Sequence, residues 1–346
     1  MSNKLPLLLV ADTSTREALG SKFLRGARTA GLDPERDLVL AYNSPAEAYS
    51  PSMKRLRGKL FYRIADRRSW EWWGFQRDLV SLIREHKPRL VLVTGILPLA
   101  SNVFKVVHSN GGRIANYLTD DPWNPIHRRH CFIRNLCEYD HIFSTKEALR
   151  TRLENAGAPS TSWLPFAFDP ELHQKPDGYN ETGPDILFIG TGAKERLTWL
   201  RALEDLPVAC RKIHGNNWER IRIPGWEKDG AVIGEKYCEL IASAKIVLGL
   251  LRRANGDLST DRSYEISAIG GCGLYEDTTE HRNLFKDYPE AGFFKNPQEL
   301  REKALQLLAN PRQRALLREK GHEAIKSQGN TYGDRLKEIV DFFQFK

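Results

Sequence analysis

The sequence has no long apolar run and few cysteines, which argues against membrane-spanning helices and against a fold held by disulfides or zinc. Its longest apolar stretches, such as 5–11 and 90–97, are far shorter than the roughly 20 residues that span a bilayer. The five cysteines are scattered and odd in number, and no two of them have Cys-x-x-Cys spacing. We therefore expect neither structural disulfides nor a structural zinc site, and we interpret the cysteines as reduced, mostly buried thiols.

A signal-peptide pattern is also missing, because the opening Met1-Ser-Asn-Lys4 leads directly into an apolar segment typical of a strand. We expect a cytoplasmic protein, or one that is peripheral to the inner face of a membrane. With 41% hydrophobic and 28% charged residues, the composition is that of a globular protein and argues against disorder and coiled coil. A length of 346 residues predicts about two domains.

The net charge of +8 is concentrated in one window of the sequence. Residues 54–68, from Lys54 to Arg68, contain seven basic side chains and one acidic side chain, so this window alone carries +6. A protein whose whole surface contacts nucleic acid would be more uniformly basic. Apolar and aromatic side chains interleave with these cations or follow them: Leu56, Leu60, Phe61, Ile64, Trp70, Trp72 and Trp73.

Three interpretations of this basic window stay open at the level of sequence. A basic amphipathic helix can lie on an anionic membrane surface. A basic surface with aromatic residues nearby can also contact a polyanion such as nucleic acid, or an acceptor substrate. The third interpretation is a solvated helix face above an aromatic seam of the core.

Strands and helices alternate in both halves of the sequence. Short apolar runs predict strands at 5–12, 37–42, 89–95, 113–119, 141–144, 185–190, 211–214, 231–233, 244–251 and 273–276. Helical periodicity and stop residues predict helices at 17–31, 69–86, 146–156, 194–206, 296–310, 312–328 and 332–345. The polar stretch 169–184, rich in Pro and Gly, is typical of an interdomain linker.

This alternation predicts an α/β fold with two Rossmann-like domains that face each other across a cleft. We assign residues 1–175 to the first domain, 176–330 to the second, and 331–346 to a last helix that crosses back to the first. In open α/β sheets, ligands bind at the carboxyl ends of the strands. We therefore expect the functional residues in the loops that follow the strands.

The turn Gly190-Thr191-Gly192 joins a predicted strand to a predicted helix. Glycines at such a turn let backbone N–H groups approach an anion, and Lys194 and Arg196 would add positive charge beside a diphosphate. Glu195 occupies the position of the third glycine in a dinucleotide fingerprint, so the turn is not such a fingerprint. Phosphate binding and simple turn geometry both remain open for it.

A second candidate segment runs from a predicted strand through a polar loop into a short helix and a glycine cluster. Asp257 and Glu265 are separated by seven residues within it. This spacing resembles the carboxylate-x7-Glu motif of retaining glycosyltransferases with the type-B (GT-B) fold, with Asp257 in place of the usual first Glu. The phrase Asp-Leu-Ser-Thr-Asp-Arg-Ser-Tyr-Glu-Ile-Ser-Ala-Ile-Gly-Gly, residues 257–271, is more similar still to the CgeB-like (spore-maturation type) glycosyltransferases.

Other stretches between about 110 and 335 share that resemblance. They are Tyr117-Leu-Thr-Asp-Asp-Pro-Trp123, Trp163-Leu-Pro-Phe-Ala-Phe-Asp-Pro170, Phe188-Ile-Gly-Thr-Gly192 and Gly329-Asn-Thr-Tyr332. Asn330 departs from the family, which often has His at this position. The resemblance is weak before residue 110, and the basic window has no counterpart in the family.

The resemblance implies that the second domain binds a nucleoside diphosphate sugar and that the first binds a hydroxyl acceptor. By position, Glu265 would accept hydrogen bonds from ribose hydroxyls and Asp257 would face the donor sugar. Arg262, with Lys194 or Arg196, would neutralise the diphosphate as it leaves. The donor-binding residues so implied are Gly190, Thr191, Gly192, Lys194, Arg196, Ser259, Thr260, Arg262, Tyr264 and Glu265.

No bound metal or other cofactor is expected, because type-B transferases neutralise the diphosphate without metal and no Asp-x-Asp motif is present. The spacing of Asp257 and Glu265 favours retention of anomeric configuration, and the family resemblance leaves that outcome open. Structural roles for these residues also stay open, since Glu265 could cap or pair on a helix and Arg262 could pair with Asp257 or Asp261. Two other functions remain: a nucleotide-sugar epimerase of the same fold, and a non-catalytic scaffold that binds nucleic acid.

Asp120 and Asp121 follow a predicted strand of the first domain and precede Pro122. One of these carboxylates can act as general base toward an acceptor hydroxyl. An Asx turn before the proline explains the same residues equally well. His127 and His130 have helical spacing beside Cys131, but further ligands are lacking, so we expect no metal there.

Overall fold

The computed structural model describes residues 7–42, 51–177 and 180–343, and these form two compact α/β units. The first unit comprises the described residues up to Pro165 together with those from Tyr332 onward. The second unit is Phe166–Thr331. The chain therefore enters the second unit after Pro165 and returns to the first with its last helix.

The first unit is built on a parallel sheet of six strands in the order β2-β1-β3-β4-β5-β6. Its strands are β1 Leu7–Ala11, β2 Leu38–Tyr42, β3 Leu90–Thr94, β4 Arg113–Leu118, β5 His141–Ser144 and β6 Thr161–Trp163. Every residue of β1 and β3 is buried, because helices cover both faces of the sheet. Its helices are α1 Leu19–Gly26, α2 Leu56–Ile64, α3 Glu71–His86, α4 Ser101–Ser109, α5 His130–Arg134, α6 Arg150–Asn155 and, at the end of the chain, α13 Tyr332–Phe342.

The second unit repeats this plan with a parallel sheet in the order β12-β11-β10-β7-β8-β9. Its strands are β7 Ile186–Ile189, β8 Arg211–His214, β9 Glu227–Asp229, β10 Ile246–Gly249, β11 Gly273–Glu276 and β12 Phe293–Phe294. Its helices are α7 Leu197–Arg201, α8 Gly234–Ser243, α9 Asp261–Ile269, α10 Thr279–Leu284, α11 Pro297–Ala309 and α12 Pro311–Ser327. The apolar residues of β7, β10 and β11 form its core with those of the covering helices.

Each sheet has a point at which the strand order reverses. In the first sheet β1 lies between β2 and β3, and in the second sheet β7 lies between β8 and β10. At such a point the loops leave in opposite directions and a crevice opens at the carboxyl ends of the strands. The loops after β1 and β3, and those after β7 and β10, are therefore where ligands are expected.

Several elements differ from the sequence prediction. Residues 231–233 do not form the predicted strand. The strand of this region, β9, lies a few residues earlier at Glu227–Asp229. All three of its residues are exposed and polar, and β9 is an edge strand held by backbone pairing with β8. The predicted helix 17–31 is shorter, and the predicted helix 194–206 begins with a 3₁₀ turn and continues as α7. Residues 344–345 of the predicted last helix lie outside the described part of the chain.

Within residues 7–42, 51–177 and 180–343, no helix combines the length and the apolarity that crossing a bilayer requires. The five cysteines all fall in these ranges and are free thiols. Cys131, Cys238 and Cys272 are buried, and Cys137 is exposed.

Candidate functional site

The turn after β7 is held tightly against the end of β8. Gly190 donates its N–H to the His214 carbonyl at 2.9 Å, and Gly192 donates to the Asn216 carbonyl at 2.7 Å. A Cβ atom at Gly192 would collide with the backbone of Asn217, so a side chain is excluded there. Two of the backbone donors predicted to face phosphate are thus used inside the unit, while Thr191 between them is exposed.

The Arg196 side chain stabilises this turn by a hydrogen bond. Its buried guanidinium donates to the Thr191 carbonyl at 2.6 Å and lies 5.1 Å from the centre of the Phe188 ring. Burial, together with the nearby charge of Arg252, lowers the Arg196 pKa to about 10, so the side chain stays charged near neutral pH. Arg196 is therefore positioned to shape the turn, which differs from the predicted direct contact with a diphosphate. Lys194 is exposed on the same turn.

The loop after β10 carries Asp257, and the structure folds this side chain inward. Its carboxylate accepts from the Asn255 side-chain amide at 3.0 Å and from the Arg252 backbone N–H at 3.4 Å. The Asp257 side chain is buried and closes the loop on itself around Gly256, whose φ is +68°. The structure thus gives Asp257 a loop-forming role in place of the predicted open position toward a donor sugar.

Two arginines at the carboxyl end of β10 were missed by the sequence analysis. The Arg252 guanidinium approaches Asp257 at 3.7 Å, and Arg253 pairs with Glu276 at the end of β11 at 3.0 Å. Glu276 also accepts from the Leu251 backbone N–H at 2.8 Å and so joins the ends of the two strands. Both arginines remain partly exposed. A pair of cations directly after a buried strand was the available signal in the sequence.

The start of α9 is a closed capping arrangement. The Thr260 side chain accepts from the Ser263 backbone N–H, while the Ser263 hydroxyl accepts from the Thr260 N–H at 3.1 Å. Ser259 is buried and donates to Glu280 of α10 at 2.6 Å. Tyr264 is buried in the core of the unit. Ser259, Thr260 and Tyr264 therefore shape the loop and the helix, and their predicted donor contacts are not evident in their positions.

Glu265 is the centre of a buried polar network. One carboxylate oxygen accepts from the Tyr237 hydroxyl of α8 at 2.8 Å and also from the Arg262 guanidinium. The other oxygen lies 3.3 Å from Nε2 of His173. Because Nδ1 of His173 accepts from the Asp169 N–H at 3.0 Å, its proton is on Nε2 and points at the carboxylate. Glu265 is 1% exposed, and its carboxylate pairs inside the unit.

Arg262 is the member of this network that reaches the surface. Its side chain is one-third exposed and stacks 4.9 Å from the centre of the Tyr237 ring. It pairs with Glu265 and lies 3.8 Å from Asp261, as the structural alternative for this arginine proposed. Its exposed edge stays available to an anion, because a guanidinium has five N–H donors.

Cations thus gather at the carboxyl ends of the second sheet. Lys194 follows β7, Arg252 and Arg253 follow β10, and Arg262 lies on the first turn of α9. Their local acidic partners are Asp257, Glu276, Asp261 and Glu265. We name Lys194, Arg252, Arg253 and Arg262 the cationic edge. Such an arrangement can hold a polyanionic leaving group and stabilise its developing charge.

The first unit has a cavity of about 410 Å³ at the reversal point of its own sheet. Its walls come from the end of β3 and the loop after it, from the loop between β4 and α5, from α1, and from α2 with the segment that follows it: Leu19, Tyr62, Arg67, Thr94, Gly95, Ile96, Leu97, Thr119, Asp120, Ile126, His127 and Arg129. Asp120 and His127 lie 3.7 Å apart on this wall. A carboxylate, an imidazole and guanidinium groups therefore line one cavity that is large enough for a small polar molecule.

The structure separates the two adjacent aspartates. Asp121 accepts from the Trp123 N–H at 2.8 Å, which is the Asx turn, and lies 3.9 Å from Arg152. Asp120 accepts from the Thr119 hydroxyl at 3.0 Å and lines the cavity. The Asx-turn alternative therefore describes Asp121, whereas Asp120 is left facing the cavity. His130 lies at the start of α5, where its backbone N–H donates to Asp66.

Comparisons with known proteins address the family and the fold of this chain. Residues 196–341 match the model of a glycosyl transferase-like family, and this match includes the loop after β10 and α9. No curated protein matches the sequence significantly.

Solved structures with the same arrangement confirm the predicted fold. Sucrose-phosphate synthase from Thermosynechococcus elongatus aligns over 98% of both chains with a TM-score of 0.65 and 11% identity. A putative UDP-N-acetylglucosamine 2-epimerase from Listeria monocytogenes aligns over 99% of this chain and 97% of its own, with a TM-score of 0.55 and 12% identity. S. aureus TarM, solved with UDP and alpha-GlcNAc-glycerol, aligns over 78% of this chain and 59% of its own, with a TM-score of 0.54 and 13% identity. The chain has the GT-B fold of these proteins.

Proposed function

We propose that this protein is a glycosyltransferase of the CgeB-like type that moves a sugar from a nucleoside diphosphate donor to a hydroxyl acceptor. The observation that carries the proposal is the cationic edge, which lies at the reversal point of the second sheet and mainly within the region matched by the family model. A nucleoside diphosphate gains negative charge as the glycosidic bond breaks. Fixed cations at that position stabilise the transition state more than the ground state.

The second unit is proposed to bind the donor. Arg252, Arg253 and Lys194 would contact the diphosphate, and Arg262 would contact it while it pairs with Glu265. The TarM structure holds UDP, which makes UDP the first nucleotide to test here. Both carboxylate oxygens of Glu265 already accept hydrogen bonds inside the unit, which leaves little capacity for ribose hydroxyls. The role proposed for Glu265 is therefore to orient Arg262.

The first unit is proposed to bind the acceptor in its cavity. Asp120 is the candidate that receives the acceptor proton, and His127 beside it would orient the acceptor or share the proton. No choice between retention and inversion is built into this assignment. In a retaining reaction Asp120 would hold the acceptor hydroxyl, and in an inverting one it would be the general base.

Charge neutralisation by arginine and lysine forms part of the proposal, so transfer is expected without a bound metal. The test is donor turnover with and without EDTA. Unchanged turnover supports neutralisation by the cationic edge. Loss of turnover that magnesium or manganese restores would assign that role to a metal.

A nucleotide-sugar epimerase is the second candidate, and the nearly complete alignment with the Listeria structure favours it. Incubation with a panel of nucleotide sugars, followed by NMR, separates the two functions. Release of a nucleoside diphosphate with a glycosylated acceptor or free sugar supports transfer. Conversion into the epimeric nucleotide sugar supports the alternative. A scaffold would form neither product, and it would bind nucleic acid in a salt-sensitive way.

A further inference from the structure

The basic window forms an amphipathic helix whose apolar stripe faces solvent. Leu56, Leu60 and Ile64 recur every fourth residue of α2 and so lie on one face. Their exposed fractions are 83%, 62% and 76%. A helix that served only to cover a core would turn these side chains inward.

Contacts on the other side of α2 hold the stripe in this orientation. Gly58, on the opposite face, is buried against the carbonyl of Ser52, where no side chain would fit. Ser52 is in turn fixed by Glu71 of α3, whose carboxylate accepts from its N–H at 2.7 Å and from its hydroxyl at 2.6 Å. The outward position of the stripe is therefore a packed feature of the unit.

The end of the window is fastened to the wall of the cavity. The Asp66 carboxylate accepts from the backbone N–H groups of His130 and Cys131, both at 2.7 Å, and so caps α5. Arg67 donates to the carbonyls of Pro125 and Ile126. Asp66 and Arg67 have φ of 54° and 55°, a left-handed conformation that these contacts hold. The stripe and the cavity wall consequently belong to one connected element.

Cations and aromatic rings border the stripe. Lys54, Arg55, Arg57, Lys59 and Arg63 are all exposed. Trp70 and Trp73 are also exposed, and each packs against Phe61 of α2 at about 5.5 Å between ring centres. Amphipathic tryptophans beside lysine and arginine are typical of the lipid–water interface.

From this arrangement we infer that α2 and the tryptophans after it bind an anionic lipid surface. The charge of the surface complements the cations, and the acyl region accepts the aliphatic stripe. A nucleic acid would satisfy the cations and stack on the rings but would leave three aliphatic side chains in water. Tyr62 and Arg67 line the cavity, so docking would hold the cavity at the membrane. That consequence for the acceptor rests on the proposed function, whereas lipid binding does not.

Vesicle co-sedimentation tests the inference with the full chain. The probes are phosphatidylcholine vesicles with and without about 30% phosphatidylglycerol, in about 0.1 M and about 0.5 M salt. We expect binding to the anionic vesicles that weakens with salt. L56Q/L60Q/I64Q and R55Q/R57Q/K59Q/R63Q should each weaken it by about tenfold or more. The control is Ile233→Gln, which changes a similarly exposed apolar residue of the second unit and should change vesicle binding less than twofold.

Equal binding of the wild type to neutral and anionic vesicles would overturn the inference. So would full binding by the leucine and isoleucine variant, because the cations alone would then account for the contact. Salt-sensitive RNA or DNA binding stronger than vesicle binding would assign the surface to a polyanion. Circular dichroism checks that the variants fold. If the triple variant is destabilised, Leu60→Gln alone should still weaken binding to anionic vesicles, though by less. Both multiple variants of α2 should bind UDP as the wild type does when no vesicles are present. This result would separate the test of lipid binding from the test of the proposed function.

Discussion

The Tyr237 hydroxyl donates to Glu265 across 2.8 Å and joins α8 to α9 inside the second unit. Burial raises the Tyr237 pKa well above its ordinary value, so the hydroxyl remains a donor. The same carboxylate oxygen accepts from Arg262, whose other edge reaches solvent. A chain of contacts thus leads from the core of the unit to its cationic edge.

Removal of the charge at the centre of this chain should affect stability as well as binding. Glu265→Gln removes the closer of the two carboxylates that pair with Arg262 and places an amide group against the Tyr237 hydroxyl. We expect the free energy of unfolding to fall by about 1.5–3 kcal/mol, the value of a hydrogen bond to a charged group. UDP affinity should also fall, because Arg262 loses its orientation. Urea unfolding and calorimetric titration measure the two effects.

Tyr237→Phe separates these contributions because it keeps the ring beneath Arg262 and removes only the hydroxyl. It should lower stability while reducing UDP affinity less than Glu265→Gln does. Equal stability of wild type and Glu265→Gln would show that the buried network contributes little.

The two adjacent aspartates should respond differently to the same substitution. Asp120→Asn removes the carboxylate that lines the cavity and should lower sugar transfer, by about 10²- to 10⁴-fold in an inverting reaction, where Asp120 would be the general base. UDP affinity should stay unchanged, because Asp120 belongs to the first unit. Asp121→Asn preserves an Asx-turn acceptor and should have a much smaller effect on transfer. Similar losses in the two variants would refute the assignment of Asp120.

Acid should destabilise the second unit through His281. Its Nδ1 donates to the Glu276 carbonyl and its Nε2 accepts from the Ser263 hydroxyl, so the ring is neutral. Burial lowers its pKa to about 4 from an ordinary 6.5. The unfolded chain therefore binds the proton first, and stability present above pH 6.5 is lost as the pH falls toward 4, by up to about 1.4 kcal/mol per pH unit.

The measurement is the urea midpoint at several pH values for wild type and His281→Gln. The variant should be less stable at pH 7 and should lose less stability between pH 6.5 and 4, because glutamine does not titrate. His141 in the first unit has the same lowered pKa of about 4, again through burial, so part of the wild-type slope will remain in the variant. An identical slope in both proteins would contradict the role of His281.

The sequence predicts the strands that coincide with longer apolar runs, as β1, β3, β7 and β10 do, and it misses the short strands β6 and β12. It fails at β9, whose polar residues give no apolar signal and are held by backbone pairing and by ion pairs with Lys212 of β8. The spacing of Asp257 and Glu265 locates the loop and helix of the candidate site. It cannot show that Glu265 is buried, because its partners His173 and Tyr237 come from segments far away in the chain.

The most direct test of the account is calorimetric titration of UDP into wild type, Lys194→Gln/Arg252→Gln and Lys320→Gln. Lys320 is a partly exposed lysine of α12 outside the cationic edge and serves as the matched control. We expect the wild type to bind UDP more tightly than uridine and the double variant to lose about tenfold or more in affinity, since each charged contact is worth about 1.5–3 kcal/mol before solvent screening. Lys320→Gln should bind as the wild type does. Equal UDP affinity in all three proteins would contradict diphosphate binding by the cationic edge, as would a wild type that binds no nucleoside diphosphate.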